Sequence, residues 1–369
     1  MSERKLASIR RVHEISPIEG ADRIVLAKID GWQVITQKTN YQPGDFCVYF
    51  EIDSFLPVEE RYEFLRKSGF KTTKNLGDGF RIKTMKMRGE LSQGLSLPLD
   101  AFPEYFSKDG STWVWKQHDS NTGITCDVWM PVEEDTDITD LLKIQKYEKP
   151  IPSQLTGRVH GNFPIFIRKT DQERVQNYRR KIEEHADERF EITLKLDGSS
   201  LTAYKKDDHI GVCTRNWEVK EEDENGTINT FWKAARNAKI IELLEGFNKN
   251  VAIQGELMGP GVQHNRETLD DHYVYIFDIW DIDNQRYLRP DERQTFISQI
   301  PDLKHCPILY KDVKLSNFFF TDNHVNDLLK LAEGASINHA IREGIVFKSL
   351  DSDFTFKAIN NEFLLKEKD

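Results

Sequence analysis

The chain has 369 residues, of which 61 are acidic and 51 basic, for a net charge of -10; 38% are hydrophobic and 30% charged. That length has room for two domains with cores of their own, and the composition is globular rather than disordered. The acidic balance argues against a protein that coats nucleic acid indiscriminately, since phosphate binding runs on Lys and Arg, and leaves a focused basic groove as the form such a site would take.

No apolar stretch approaches the roughly 20 residues of a membrane span, and residues 1–11 are charged, without the apolar core of a signal peptide. No membrane partner is expected, and a cytoplasmic or nuclear address is the default. Cys47, Cys126, Cys213 and Cys306 are widely spaced, which gives neither a zinc spacing nor a disulfide framework, so four reduced thiols are the plainest reading.

From residue 5 to about 130, short β-like runs dominate: Ile24 to Ile29, Trp32 to Thr36 and Phe46 to Phe50, punctuated by turns at Gly20, Gly31 and Pro43-Gly44-Asp45. A small β-barrel is predicted over 1–130. Residues 131–161 carry the acidic run Glu133-Glu134-Asp135, a Pro-bounded stretch from Pro150 to Pro152 and few periodic apolar positions, and are predicted to be a linker.

Residues 162–369 alternate strands with helices. A helical stretch is predicted near Gln172 to Glu188, and strands at Phe190 to Lys195 and Leu201 to Lys205. A helix is predicted from Ile228 to Leu244, and strands at Val251 to Glu256, Tyr273 to Trp280, Ile345 to Lys348 and Phe354 to Ala358. The predicted class is α+β on antiparallel sheets. His264 and His272 lack the neighbours of a metal site, and Glu221 to Glu224 reads as a solvated acidic loop.

The chemistry centres on Lys195-Leu196-Asp197-Gly198, between two β-runs, which puts a lysine in a tight turn at a sheet mouth. Gly198 suits a turn with positive φ or a close backbone approach. Such a four-residue string is common by chance, but others follow it in order: Thr214-Arg215, QGELMGPGVQ with Glu256, YIFDIW with Phe277, EGIVFKS with Glu343 and Lys348, and FKAIN with Lys357. This series resembles the covalent nucleotidyltransferases, the superfamily of polynucleotide ligases and mRNA capping enzymes. IEGADRIVLAKIDGWQVITQKTNYQPGDFCVYFEIDSFLP resembles an OB-fold nucleic-acid-binding module, and TDQERVQNY, with Arg174, fits the same family. Together they resemble the ATP-dependent RNA ligases of the Deinococcus and Naegleria type, with an N-terminal OB domain and a C-terminal nucleotidyltransferase domain. The short stretch after Lys357 has no room for the C-terminal OB domain of DNA ligases and capping enzymes.

The resemblance implies that Lys195 is the nucleophile that takes AMP from ATP. It implies an ATP site of Arg174, Lys195, Glu256, Phe277, Glu343, Lys348 and Lys357. Phe277 would stack on adenine, Lys348 and Lys357 would neutralise the α-phosphate, and Arg174 would contact the outer phosphates. Arg215 and Ser200 would meet the ribose or the nucleic-acid phosphate, and Glu256 and Glu343 would hold Mg2+ or Mn2+, through water. The implied substrate is RNA or an RNA-containing duplex with 3'-hydroxyl and 5'-phosphate ends, acted on by a monomer. A DNA ligase, a capping guanylyltransferase and a noncatalytic RNA-binding protein on the same fold are the alternatives. Three positions depart from the family pattern: Leu194, Ser200, and Ile359 where relatives carry a second lysine, with Lys348 or Lys366 the candidate substitutes. The residue types suit the chemistry, because a free lysine with pKa about 10.4 is only about 0.04% neutral at pH 7 and needs its surroundings to act as a nucleophile.

Overall fold

The computed structural model describes residues 5–73, 75–119, 126–147, 158–298, 300 and 303–366, with the side chains of 117–119 and 126–128 left aside. The chain divides into two compact units, Met1–Pro150 and Ile151–Asp369.

The first unit is built on a five-stranded antiparallel sheet in the order Leu95–Pro98, Phe46–Phe50, Ala7–Pro17, Ile24–Ile29, Trp32–Gln37. Alternation of apolar side chains sets the register, with Ala7 opposite Phe50 and Val25 opposite Thr36. The sheet curls toward closure: the Ile35 amide donates to Ser92 Oγ at 3.0 Å and Gln33 Nε2 to the Leu91 carbonyl at 3.1 Å, which occupies the last strand's outer edge. Ile9, Val48, Phe50, Leu56 and Phe80 form its core.

The segment predicted as a linker, 131–161, differs from that reading over 131–147 and 158–161, while 148–157, with the Pro-bounded stretch, lie outside the described residues. Val132, Ile138, Leu142 and Ile144 are buried in the core of the first unit, Gln145–Lys146 pairs with Ser54 and Phe55, and the Ile9 amide donates to the Thr136 carbonyl at 2.9 Å. Val159–Asn162 is instead a strand of the second unit, paired with Trp217–Val219. Four apolar side chains spaced irregularly through an acidic segment suffice to bury it, because backbone bonds to a sheet need no periodicity.

In the second unit one large sheet runs Val159–Asn162, Trp217–Val219, His209–Cys213, Ser199–Lys206, Val251–Met258, Tyr273–Asp281, Arg286–Tyr287, and Lys304–His305 pairs in parallel with Tyr273–Asp281. A four-stranded antiparallel sheet runs Ile308–Lys314, Arg189–Lys195, Gly344–Ser349, Thr355–Ile359. One face of the large sheet packs against two helices through Leu201, Ile253, Ile276, Ala235 and Leu244, and one face of the small sheet buries Ile192, Phe347, Phe356 and Leu328. The remaining faces supply the polar site.

The helix predicted from Ile228 to Leu244 is two, Thr230–Asn237 and Ile240–Gly246, because Lys239 adopts the left-handed conformation at φ 57°. Asn229 caps the first by accepting from the Phe231 amide at 2.9 Å. The stretch near Gln172 to Glu188 contains only the 3-10 turn Val175–Tyr178 and the helix Arg179–Glu184. Of the acidic residues at 221–224, Glu221 accepts from Arg236 at 2.7 Å and Asp223 from Arg158 at 2.8 Å, while Glu222 and Glu224 are exposed to solvent as predicted. Cys47, Cys213 and Cys306 are buried free thiols, and the Cys126 side chain lies outside the described residues. Among the described residues, no helix is long and apolar enough to cross a membrane.

Candidate active site

Lys195 ends the strand Arg189–Lys195, opposite Gly344, and Glu343 immediately precedes the next strand. Their side chains meet: Lys195 Nζ donates to Glu343 Oε2 at 2.7 Å. Burial alone would depress the lysine's pKa, but the negative charges of Glu343, Glu256 and Asp197 outweigh it and hold the ammonium above its ordinary value.

Glu256 reaches the same place from the large sheet. Its strand, Val251–Met258, pairs with Ser199–Lys206 so that Glu256 lies opposite Ser200, and Glu256 Oε1 accepts from the Gly198 amide at 3.1 Å. Burial pushes its carboxyl up to about 8, with the like charge of Glu343 adding to the effect and Lys195 opposing it. Ser200 is thereby a neighbour of a site carboxylate.

Gly198 is required by space and not by dihedral angle. A Cβ there would stand 2.4 Å from the Leu257 carbonyl oxygen and 2.9 Å from Glu256 Cγ, and its φ is not positive. Gly198→Ala is expected to cost about 1–3 kcal/mol by overpacking. It should slow the chemistry of Lys195 by about 10²-fold, because the turn that carries the lysine must shift by a fraction of an ångström. Denaturant midpoints and rates measured on the same sample separate the two effects.

Lys357 lies on Thr355–Ile359, opposite Val346. Val346 also faces Thr193, two residues before Lys195, which puts Lys357 on the polar face that carries Lys195. Arg174 bridges to Lys357 at the outer edge, and the Lys357 amide donates to the Glu173 carbonyl at 2.9 Å. Burial, with the charges of Lys195 and Arg174 behind it, brings the Lys357 pKa down to about 7.

Lys348 sits deeper. It is 5% exposed, and its Nζ donates to Asp278 Oδ1 at 2.5 Å and to the Phe277 carbonyl. Burial depresses its pKa, a shift Asp278 opposes and Arg293 reinforces. Phe277 occupies a bulge in the large sheet, where Gln254 pairs with Asp278 and Gly255 with Ile276, leaving Phe277 as the extra residue. A bulge of this kind re-aims a side chain, and the Phe277 ring packs partly buried beside Leu194, Leu196 and Met258.

The structure therefore gathers Lys195, Glu256, Glu343 and Ser200 at one point, with Lys357 and Arg174 along the same face and Lys348 and Phe277 beneath. Arg215 is more open, its guanidinium 67% exposed and donating to Asp171 at 2.6 Å, and the Asp171 charge in turn acts on Lys357. Of the residues at or near the departures, Leu194 is core, Ile359 is buried opposite Gly344, and Lys366 pairs with Glu362 at 2.6 Å on the surface. Sequence reasoning gave no role to Asp197, whose carboxylate lies 3.9 Å from Arg266, or to Asp278, Glu191 and Arg293, which surround Lys348. Glu191 had a signal, a carboxylate two positions of strand alternation from Lys195 in an otherwise apolar run. Arg293, on the helix Pro290–Ser298, had none.

Glu256, Glu343 and Asp197 place three carboxylates around Lys195, but their oxygens do not converge on one point, since among the described residues the group of donors that does is His13, Asp30 and Glu134; a hard divalent cation at Lys195 would therefore be held through water.

Residues 6–99 match an OB-fold domain family and residues 188–359 match the RNA ligase family. Solved structures of Naegleria gruberi RNA ligase align over nearly the full length. A variant with AMP and Mn is 43% identical with a TM-score of 0.77, covering 99% of each chain. The enzyme with PPi is 43% identical at TM-score 0.75, again covering 99% of each chain. A variant with ATP and Mn is 43% identical at TM-score 0.76, covering 98% of this chain and 99% of that one. No curated protein sequence matches. With a two-unit architecture, a lysine held between carboxylates at a sheet mouth, and 43% identity over 99% of the chain, this protein belongs to the RNA ligase family.

Proposed function

We propose that the protein seals RNA breaks in three steps through Lys195. The amine of Lys195 attacks the α-phosphate of ATP and pyrophosphate leaves, giving a lysyl-AMP phosphoramidate. AMP then passes to the 5'-phosphate of an RNA end, and a 3'-hydroxyl attacks that phosphate and expels AMP, closing the phosphodiester. The observation that carries this reading is the Lys195 ammonium 2.7 Å from Glu343, with Glu256 close enough to raise its pKa and Lys357 on the same sheet face.

Phosphoryl transfer of this kind is chiefly positioning and charge neutralisation around an in-line displacement. Lys195 is held protonated by its carboxylates in the free protein, so the nucleophile is masked until Glu343 turns to another partner and the ammonium gives up its proton to solvent. Lys357, with a pKa near 7, takes up a proton as the α-phosphate arrives and neutralises it. Arg174 meets the outer phosphates and Phe277 stacks on the adenine. Glu256 and Glu343 would hold Mg2+ or Mn2+, which would neutralise charge on the phosphates when bound. Arg215, largely exposed, would meet the nucleic-acid backbone. The preferred substrate is a nicked duplex whose 3'-hydroxyl strand is RNA, read through its 2'-hydroxyls and A-form shape.

Incubation with α-labelled ATP or GTP and Mn2+, followed by denaturing electrophoresis, tests the first step. Label from ATP and not GTP is expected, and a folded protein that takes label from neither is no ligase. Sealing of nicks that differ only in the sugar of the 3'-hydroxyl strand tests the substrate. Equal rates on deoxyribose and ribose would overturn the RNA preference.

The Lys357 shift gives a pH prediction. With divalent metal chelated, ATP binding draws on the cation of Lys357, which is present below about pH 7 and lost above it. Affinity should fall by up to about tenfold per pH unit above 7, until the higher pKa of the bound state is reached. Calorimetric titration should show the slope in the wild type and lose it in Lys357→Arg, whose charge persists across the range.

A further inference from the structure

Beneath the Lys195 group, four charged side chains are buried together: Glu191 at 2% exposure, Asp278 at 4%, Arg293 at 0% and Lys348 at 5%. Two cations meet two anions, which is the only way such a set is held out of water at tolerable cost. The pairing is nevertheless ambiguous. Glu191 lies directly opposite Lys348 in the four-stranded sheet, so the two side chains leave the same face as neighbours, yet Lys348 donates to Asp278 on the other sheet.

Arg293 resolves the ambiguity. Its Nη2 donates to Glu191 Oε1, its Nη1 stands 3.7 Å from Asp278 Oδ1, and its Nε donates to His305 Nε2 at 3.1 Å. His305 Nδ1 lies 2.5 Å from the Cys306 carbonyl and donates its proton there, which leaves Nε2 with the lone pair that receives Arg293. Burial and the Arg293 charge lower the His305 pKa to about 3, so the ring is a neutral acceptor. Two hydrogen bonds, to Glu191 and His305, orient the guanidinium, and Asp278 is a charged neighbour of Nη1, which makes no hydrogen bond of its own among the described residues.

We propose that Arg293 is a positioning residue for nucleotide binding: by occupying Glu191 it leaves Lys348 clamped to Asp278 and to the Phe277 carbonyl, which fixes the bulge that aims the Phe277 ring. This rests on the reading above, in which Phe277 meets the adenine. Without Arg293, Glu191 competes for Lys348, the clamp on the Phe277 carbonyl loosens, and the base loses its platform while Lys195 and its carboxylates stay in place. The Lys348–Asp278 pair also lines a cavity of about 130 Å³ with Arg168, Tyr287 and Thr355, so a loosened pair has space to move into.

Initial rates of self-adenylylation against ATP concentration test this in the full chain. Arg293→Lys, which keeps the charge but not the two-bond geometry, and Arg293→Met should each raise the KM for ATP about tenfold or more, the size expected for one charged hydrogen bond. The kcat should stay within about threefold, because the reacting groups are untouched. Adding Glu191→Gln to Arg293→Met removes the competing charge and should return the KM toward the wild-type value, a recovery that a merely structural role does not give. A folded Arg293→Lys with wild-type KM overturns the proposal, as does a parallel fall of kcat and melting temperature, a failure of Glu191→Gln to restore KM, or unfolding of all three variants. Should the wild type itself take no label from ATP, the ligase reading fails; should it label normally while the variants follow it, only the role of Arg293 fails.

Discussion

Lys195→Arg is expected to lower formation of the labelled adenylyl-protein by about 10⁴-fold or more, the size seen when a covalent nucleophile is removed. Arginine is the informative replacement. It keeps a cation that can pair with Glu343, now 2.7 Å from the lysine ammonium, so the carboxylate cluster stays neutralised and the fold is preserved. The guanidinium cannot lose a proton near neutral pH, and so cannot attack. A thermal-shift titration should still register ATP binding. The result also decides between two amines, because in the free protein Lys357, near pKa 7, is the more easily deprotonated and Lys195 the less. Label that survives in Lys195→Arg and maps to the peptide carrying Lys357 would move the nucleophile there and sink the assignment of Lys195.

Asp278→Ala should be the most destabilising single change in the second unit among those considered, costing about 3–5 kcal/mol, because it leaves buried cations without their full complement of carboxylates. Lys348 would lose its 2.5 Å partner and Arg293 its neighbour at 3.7 Å, in a cluster no member of which exceeds 5% exposure. Urea unfolding should show a lower midpoint at unchanged slope. Removing both charges, with Asp278→Asn and Lys348→Met together, should cost less than the sum of the single changes, since neither leaves the other's charge stranded. A loss under about 1 kcal/mol for Asp278→Ala would mean that water reaches the cluster and that surface ion-pair energetics apply.

Much of this protein was legible from its residues. The strands at Ile24–Ile29 and Phe46–Phe50 were legible from alternation and turns alone. The resemblance of ordered motifs marked Lys195, Glu256, Glu343 and Lys357, which sheet pairing brings to one face or one point. Local periodicity and motif order are properties of the chain, so they survive without knowledge of contacts.

What the tertiary structure alone decided were matters of partner and depth. It assigned 132–147 to the first unit's core, because burial of Val132, Ile138, Leu142 and Ile144 depends on what faces them and not on their spacing. It divided one predicted helix at Lys239, where a single left-handed residue outweighs continuous helical composition. It gave Gly198 its reason, a carbonyl 2.4 Å from where a Cβ would stand, contributed by a strand some sixty positions away. It also placed Arg293 between Glu191 and Asp278. Long-range electrostatic pairing leaves no periodic trace in a sequence, so which buried charge meets which is settled only when the sheets come together.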